Sequence, residues 1–410
     1  MNSRRIFLIS SVVMFLAAAA AASAGGSLAQ KFETADGVRV VHNAGRGVWG
    51  GKPAVKLEPI RKIGDVDAED VNTAFYLPAA VALDGAGNIY VLDSGNNRIQ
   101  KFTPDAEYLA TFGRQGQGPG EFSYPTWLDI DSAGNLYVSD PMNERIQVLS
   151  PEGKEIRTIK STGAGVGNAF VMSAGNLVMG EPRLRFGVFM TAEGKPAALP
   201  KLVKVTDPQG KLIREFGEPV DMKEDLLTKT VNEAVMTVDG KDNVYLAFPY
   251  QNRLEKYSPD GRLLWRADRE LAYSLEVQDK GSVERQAGGV SIRAPRINRS
   301  SEAVAVDGRG RVWVVTLARQ LKKEEQAALG VTMGMSTGGG RTIGYKVFGD
   351  TDLRKTDAYR LEVFDPEGVL LGGIPLDFFV DGIYISGDRL FLIDRLRGAS
   401  VHEFRIREQP

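Results

Sequence analysis

Between Pro78 and Phe112 the chain reads as short apolar runs parted by turn residues, PAAVALDGAGNIYVLDSGNNRIQKFTPDAEYLATF, and the same order returns from Pro125 as PTWLDIDSAGNLYVSDPMNERIQVLSPEGKEIRTI. Each copy holds an apolar strand, an Asp-x-x-Gly-Asn turn, a second strand ending in Val-x-Asp, an Asn-x-Arg-Ile strand, and a last strand after Pro-x-x or Pro-Glu-Gly. Key positions are displaced by 47 residues: Asn88 to Asn135, Asp93 to Asp140 and Arg98 to Arg145. Runs this short, bounded by Gly, Pro, Asn and Asp, predict strands.

A four-stranded unit recurring at this spacing is one blade of a β-propeller. The pattern continues with gaps. A third blade holds Asn176-Leu177-Val178-Met179-Gly180 and resumes at Leu202 after an insertion over about 182–200. The fourth carries Asp239 to Asn243, Asn252-Arg253-Leu254 and Ser258-Pro259-Asp260-Gly261; a link rich in arginine, about 269–300, precedes the fifth at Val304. The fifth contains the largest insertion, about 318–358, in which Lys322 to Leu329 (KKEEQAAL) predicts a short helix capped by Gly330, with Gly338 to Gly340 as a tip. Phe378 to Ile406 supplies three strands of a sixth blade and stops, whereas Val55 to Ile63 (VKLEPIRKI) is an outer strand with no inner partners. Pairing the two closes the ring and leaves no open edge. The expected fold is therefore all-β: a six-bladed β-propeller over 31–410, closed by an N-terminal outer strand on the C-terminal blade.

Composition narrows the function. With 51 Lys+Arg against 52 Asp+Glu, no global field points to nucleic acid or an anionic membrane. Cysteine is absent, which removes disulfides, thiolate metal sites and cysteine nucleophiles. Residues 1–24 have the parts of an export signal: Arg4 and Arg5, an apolar run from Ile6 to Ala22, and small residues that offer cleavage near 24 or 29. The order Ser3-Arg4-Arg5-Ile6-Phe7-Leu8 is similar to the twin-arginine export motif, with Ile9 where a Lys is usual. The expectation is a periplasmic or extracellular monomer, held at a membrane only if the signal stays uncleaved.

The repeats resemble the NHL-repeat six-bladed propellers, exported bacterial members in particular, with Gly113-Arg114-Gln115-Gly116-Gln117-Gly118-Pro119-Gly120-Glu121-Phe122 between the first two blades strengthening the likeness. The resemblance covers 38–406 and implies a binding platform. Some relatives of this architecture are lyases or lactonases, including the peptidyl-amidating lyase and the streptogramin lyases. A propeller lyase or lactonase-type hydrolase with a site at the channel mouth is therefore the alternative.

Among candidate groups, Asp93, Asp140 and Asp394 end second strands, where they either cap the following turn or ring the channel mouth as metal ligands; capping is the preferred reading. Arg98, Arg145 and Arg253 are expected to pair with acids of the same or an adjacent blade. The glycine-rich run lacks the Gly-Lys-Ser/Thr of a phosphate loop and predicts an inter-blade turn. Asp65, Asp67, Glu69 and Asp70 alternate like calcium ligands but lack the sharp-turn glycine and distal Glu. The two histidines, His42 and His402, are placed on the sixth blade or its N-terminal complement, away from the channel, so neither zinc nor a Ser-His-Asp set is expected and no cofactor is implied. The long insertions all fall on one face, where loops between second and third strands meet the links between blades. They bring Arg183, Arg185, Arg293, Arg296, Arg299, Arg319 and Arg341 together with Phe186 and Tyr345. Arginine forks suit carboxylate or phosphate and aromatics stack on sugar rings, so a protein, an anionic glycan or a peptide is the expected ligand; the competing reading is that these arginines pair with neighbouring acids.

Overall fold

The computed structural model describes residues 30–160, 166–180, 199–286, 289–335 and 341–409. Residues 1–24, expected to be an export signal, and most of the 182–200 insertion lie outside them. The described residues form six four-stranded antiparallel blades around a central channel. Blade one is Pro78–Leu83, Ile89–Asp93, Arg98–Phe102 and Tyr108–Phe112; blade two is Trp127–Ile130, Leu136–Asp140, Arg145–Leu149 and Glu155–Lys160. Blade three is Ala169–Val171, Leu177–Gly180, Val203–Thr206 and Leu212–Phe216; blade four is Val235–Val238, Val244–Ala247, Leu254–Tyr257 and Leu263–Arg269. Blade five is Ser301–Val306, Val312–Leu317, Tyr359–Phe364 and Leu370–Pro375. Gly382–Ser386, Arg389–Asp394 and Ser400–Glu408 make blade six, and Val55–Ile63 is its outer strand, with Leu57 opposite Ile406 and Ile63 opposite Val401. The expected ring closure is present.

The turn between first and second strands shows how the local sequence sets the blade. Asp84 accepts the backbone N–H groups of Ala86 and Asn88 at 3.0 Å each, and Asn88 Nδ2 donates to its second oxygen at 2.8 Å. Gly87 takes φ +82°, a left-handed conformation that glycine adopts without steric cost. Equivalent carboxylate caps stand at Asp131 and Asp239 in blades two and four and at Asp307 in blade five.

Alternation along the strands then joins neighbouring blades. In Ile89–Asp93, Ile89 and Val91 pack with Phe391 and Val401 of blade six, whereas Tyr90 and Leu92 pack with Leu136 and Val138 of blade two. Similar wedges hold Tyr137 and Val148 against Leu177, Phe170 against Met236, Tyr245 against Val312, and Trp313 against Phe379. The core is thus a ring of interfaces, and every blade depends on both neighbours.

Several features depart from expectation. The chain before Val55 straps onto blade four, a pairing the sequence pattern does not specify: Lys31–Ala35 and Val38–Asn43 extend its sheet, Val38–Asn43 running parallel to Leu263–Arg269. Asn43 then accepts the N–H of Leu370 at 2.7 Å and the backbone of Trp49 donates to Leu371, which carries the chain past blade five to blade six. His42 therefore sits on the outer edge of blade four, between Glu33 and Asp268, and not with blade six. His402 does lie in blade six, stacked on Phe378 at 4.4 Å.

The helix expected over Lys322 to Leu329 is reduced to a single 3-10 turn, Lys323–Glu325, and Gly330 lies inside a strand. Ala327–Met335 pairs with Arg341–Gly349 as a long hairpin. Helix propensity in KKEEQAAL is overridden because Glu325 is drawn to Arg319 and Thr356, ending the turn, while the next residues find a strand partner. A second hairpin, Ser282–Gln286 with Gly289–Arg293, fills the link between blades four and five. A helix, Asp225–Val231, packs Leu227 and Val231 against Ile297 of that link.

Candidate functional site

The carboxylates at the ends of second strands are turn caps. Asp93 accepts the N–H of Tyr76 at 2.7 Å, Asn96 Nδ2 at 2.8 Å and Arg98 Nε at 2.7 Å. Asp140 repeats this with Ser123, Asn143 and Arg145, at 3.0, 2.7 and 3.1 Å. Burial pushes both carboxyls up, against the pull of these donors. Asp394 accepts Arg397 and Gly398 backbone N–H groups at 3.1 and 2.8 Å, and burial with the nearby Asp381 charge raises it to about 6. Arg253 pairs at 3.2 Å with Glu255 of the strand that follows it. The glycine-rich run is an inter-blade turn in which Glu121 accepts Gly118 N–H at 2.9 Å and pairs with Arg114 at 2.8 Å. In the acidic loop, Asp65 binds Lys62 and Asp70 caps Asn72. Among the described residues, no group of three His, Asp or Glu side chains is arranged to hold a metal ion.

Among the described residues, three insertion arginines each pair with a different acid. Arg293 pairs with Asp279 and Arg299 with Glu302, the latter at 2.5 Å. Arg319 grips both oxygens of Glu325 at 2.6 Å each and also binds Asp357, which pulls the Glu325 carboxyl down to about 2. It borders a shallow open cavity of about 430 Å³ with Lys322, Lys355 and Asp377. Arg296 exchanges backbone hydrogen bonds with Asp279 and leaves its side chain exposed. Arg183, Arg185 and Phe186 lie outside the described residues, as does the side chain of Arg341.

Two of the expected residues, Arg299 and Tyr345, meet at another place: the central channel. A cavity of about 330 Å³ is bounded by the inner strands or their lead-in residues from all six blades, including Ala79, Trp127, Asn168, Val235, Glu302 and Tyr384. The long hairpin of blade five crosses its mouth. Tyr345 reaches blades one and two, accepting the Tyr76 hydroxyl on its backbone carbonyl at 3.1 Å and meeting the Tyr124 ring edge-on at 4.4 Å. Burial raises the Tyr345 and Tyr76 phenols above their ordinary value, so both stay neutral at physiological pH.

Arg395, which the repeat pattern did not single out, also lines this cavity. Its backbone N–H donates to Asp381 at 2.8 Å, but its Nε has no acceptor, and among the described residues no carboxylate forms an ion pair with its guanidinium within 4.0 Å. Burial pulls its pKa below the ordinary value, opposed by Asp381 and Tyr345. The signal was present in the chain: Leu392-Ile393-Asp394-Arg395 has an arginine where the clear repeats have Val91-Leu92-Asp93-Ser94 and Val138-Ser139-Asp140-Pro141.

With a six-bladed ring around an axial cavity, the fold defines the class of protein: a β-propeller. The sequence pattern of the NHL repeat matches residues 75–102, across the first three strands of blade one, so the chain is a six-bladed propeller carrying an NHL repeat. Among solved structures it is similar to a predicted exported protein from Bacteroides fragilis, at 10% identity and a TM-score of 0.53, covering 90% of this chain and 100% of that one. It is also similar to a member of the DUF4221 family from Bacteroides vulgatus, at 9% identity and a TM-score of 0.51, covering 86% and 99%. Virginiamycin B lyase from Staphylococcus aureus aligns at 10% identity and a TM-score of 0.45, covering 86% and 99%. These likenesses are of fold. No curated protein matches the chain by sequence.

Proposed function

We propose that this protein is an exported binding propeller of the cell envelope, which takes a ligand into its channel from the hairpin-bearing face. The observation that carries this reading is the 330 Å³ cavity to which all six blades contribute, with Tyr345 of the hairpin at its mouth. Its volume is at the lower end of the range for small-molecule sites, and concave sites with apolar walls and few polar groups are where ligands bind. The walls supply Ala79, Val81, Val304 and Ile383, with Arg299, Glu302, Asp381 and Arg395 as the charged groups. Such a site suits a small molecule or the end of a peptide or glycan better than an extended surface partner. The export signal and the similarity to a predicted exported protein support an envelope location.

A fragment library screened by NMR against the purified mature protein and against Ala79→Phe, which narrows the channel, tests the site. Hits are expected to lose binding in the variant; hits that bind both proteins equally would place the ligand elsewhere. For export, N-terminal sequencing should find a mature protein beginning near Gly25 or Gln30, and intact Met1 in the cytoplasm would refute it. Replacing Arg4 and Arg5 with lysine is expected to block export by the twin-arginine route; unchanged export would assign the general pathway.

A further inference from the structure

Building on the channel reading, we propose that the ligand is a small carboxylate whose anionic group is received by Arg395. Repeat symmetry provides an internal control. In blades one, two, five and six the second strand pairs with the start of the third at a defined position: Asp93 with Arg98, Asp140 with Arg145, Thr316 with Arg360 and Asp394 with Ser400. In blade four the N–H of Phe248 donates to Arg253 at the same place. The next residue is Ser94, Pro141, Pro249 and Leu317 in blades one, two, four and five, and Arg395 in blade six. Four neutral residues show that building a blade requires no charge there.

Nor is Arg395 part of the cap. In blades one and two the cap arginine comes from the third strand, whereas Asp394 is satisfied by backbone N–H groups of Arg397 and Gly398. Holding a guanidinium at a channel wall with its Nε unbonded and, among the described residues, no carboxylate in ion-pair contact is costly, so it implies a partner that arrives from outside. Two other donors at the same cavity also lack acceptors, Nε of Arg299 and Nε1 of Trp127. Cavity chemistry thus favours acceptor atoms on the ligand.

The acids present limit the charge of that ligand. Glu302 already neutralises Arg299, and Asp381 accepts the Arg395 backbone N–H and exerts its field on the guanidinium. One negative charge can pair with the Arg395 guanidinium, which has no ion pair among the described residues; a second, as on a phosphate dianion, would meet the Asp381 and Glu302 charges with no further cation to receive it there. The planar fork of arginine fits a carboxylate bidentately. The Tyr124 and Tyr345 rings and the apolar side chains of the inner strands can cover an uncharged body, such as a ring.

Titration calorimetry with benzoate, its neutral isostere benzamide and the dianion phenyl phosphate tests this in the wild type, Arg395→Leu, Arg395→Lys and Ala79→Phe. Benzoate is expected to bind the wild type at least about tenfold more tightly than benzamide or phenyl phosphate, and Arg395→Leu to lose that advantage. Arg395→Lys, which keeps the charge but not the fork, should retain part of it. Because leucine is what blade five carries at this position, the melting temperature of Arg395→Leu should be unchanged or higher; should it fail to fold, the comparison of Arg395→Lys with the wild type decides. No benzoate binding to the wild type at millimolar concentration would overturn the proposal, as would equal binding of benzoate and benzamide, or equal benzoate binding with and without Arg395. Equal binding of both probes that Ala79→Phe abolishes overturns the carboxylate while leaving the channel reading intact. Benzoate binding indifferent to both Arg395→Leu and Ala79→Phe sinks the two together.

Discussion

Removing the charge of Glu362 should be among the most damaging single changes in the ring. Its carboxylate and the Arg269 guanidinium are 1% and 0% exposed and meet at 2.5 Å between blades five and four. Arg269 also donates to Ser301 Oγ at 2.8 Å, and more weakly to Thr316 Oγ1 and the Ser300 carbonyl at 3.3 Å each. Glu362 further accepts Thr316 Oγ1 at 2.9 Å and pairs with Arg360. In Glu362→Gln the Arg269 cation stays buried with only neutral partners, which costs about 3–5 kcal/mol. An unfolding entropy of about 2.1 cal/mol/K per residue, over roughly 380 residues, converts 4 kcal/mol into a melting-temperature loss of about 5 °C. Replacing both partners with apolar residues, Arg269→Met with Glu362→Leu, removes the desolvation penalty along with the attraction and should recover most of that loss. Scanning calorimetry on the wild type, Glu362→Gln, the single variants Arg269→Met and Glu362→Leu, and their pair measures the coupling. A Glu362→Gln loss below about 1 °C, or a double variant less stable than either single one, would show that the pair does not hold blades four and five together as argued.

Two further predictions follow from closure and from titration. Deleting residues 30–37 should cost little solubility, because it removes only the exposed outermost strand of blade four; deleting 30–63 should cause aggregation by opening blade six, and a soluble, equally stable 64–410 protein would refute the pairing of Val55–Ile63 with Ser400–Glu408. His402 is pulled down to about 4, chiefly by burial, and so resists protonation in the fold. The unfolded chain takes up that proton near pH 6.5, so this contribution is complete above pH 6.5 and is lost as pH falls toward 4. His402→Gln should flatten that part of the stability–pH curve by on the order of 2 kcal/mol, and an unchanged slope in urea titrations would refute the assignment.

Blade identity was legible because it is local. Asp84 caps its own turn two and four residues on, Asp93 finds Arg98 five residues away, and period-two alternation sends Val91 and Leu92 to opposite neighbours; these depend on spacing alone. Closure was legible for a related reason: an outer strand without inner strands and three strands without an outer one can satisfy their edges only on each other. Tertiary structure decided the rest. Val38–Asn43 has no local feature that selects blade four, since its parallel partner lies more than two hundred residues away and is chosen by the free edge of Leu263–Arg269. Lys322 to Leu329 has helical propensity worth tenths of a kcal/mol per residue, too little against strand pairing and the Arg319–Glu325 grip. The insertion arginines carry no sequence mark separating those neutralised by an acid, such as Arg319, from one that is not. Arg395 differs from them because the ring turns its wall position toward the axis, where among the described residues no carboxylate comes within 4.0 Å of its guanidinium.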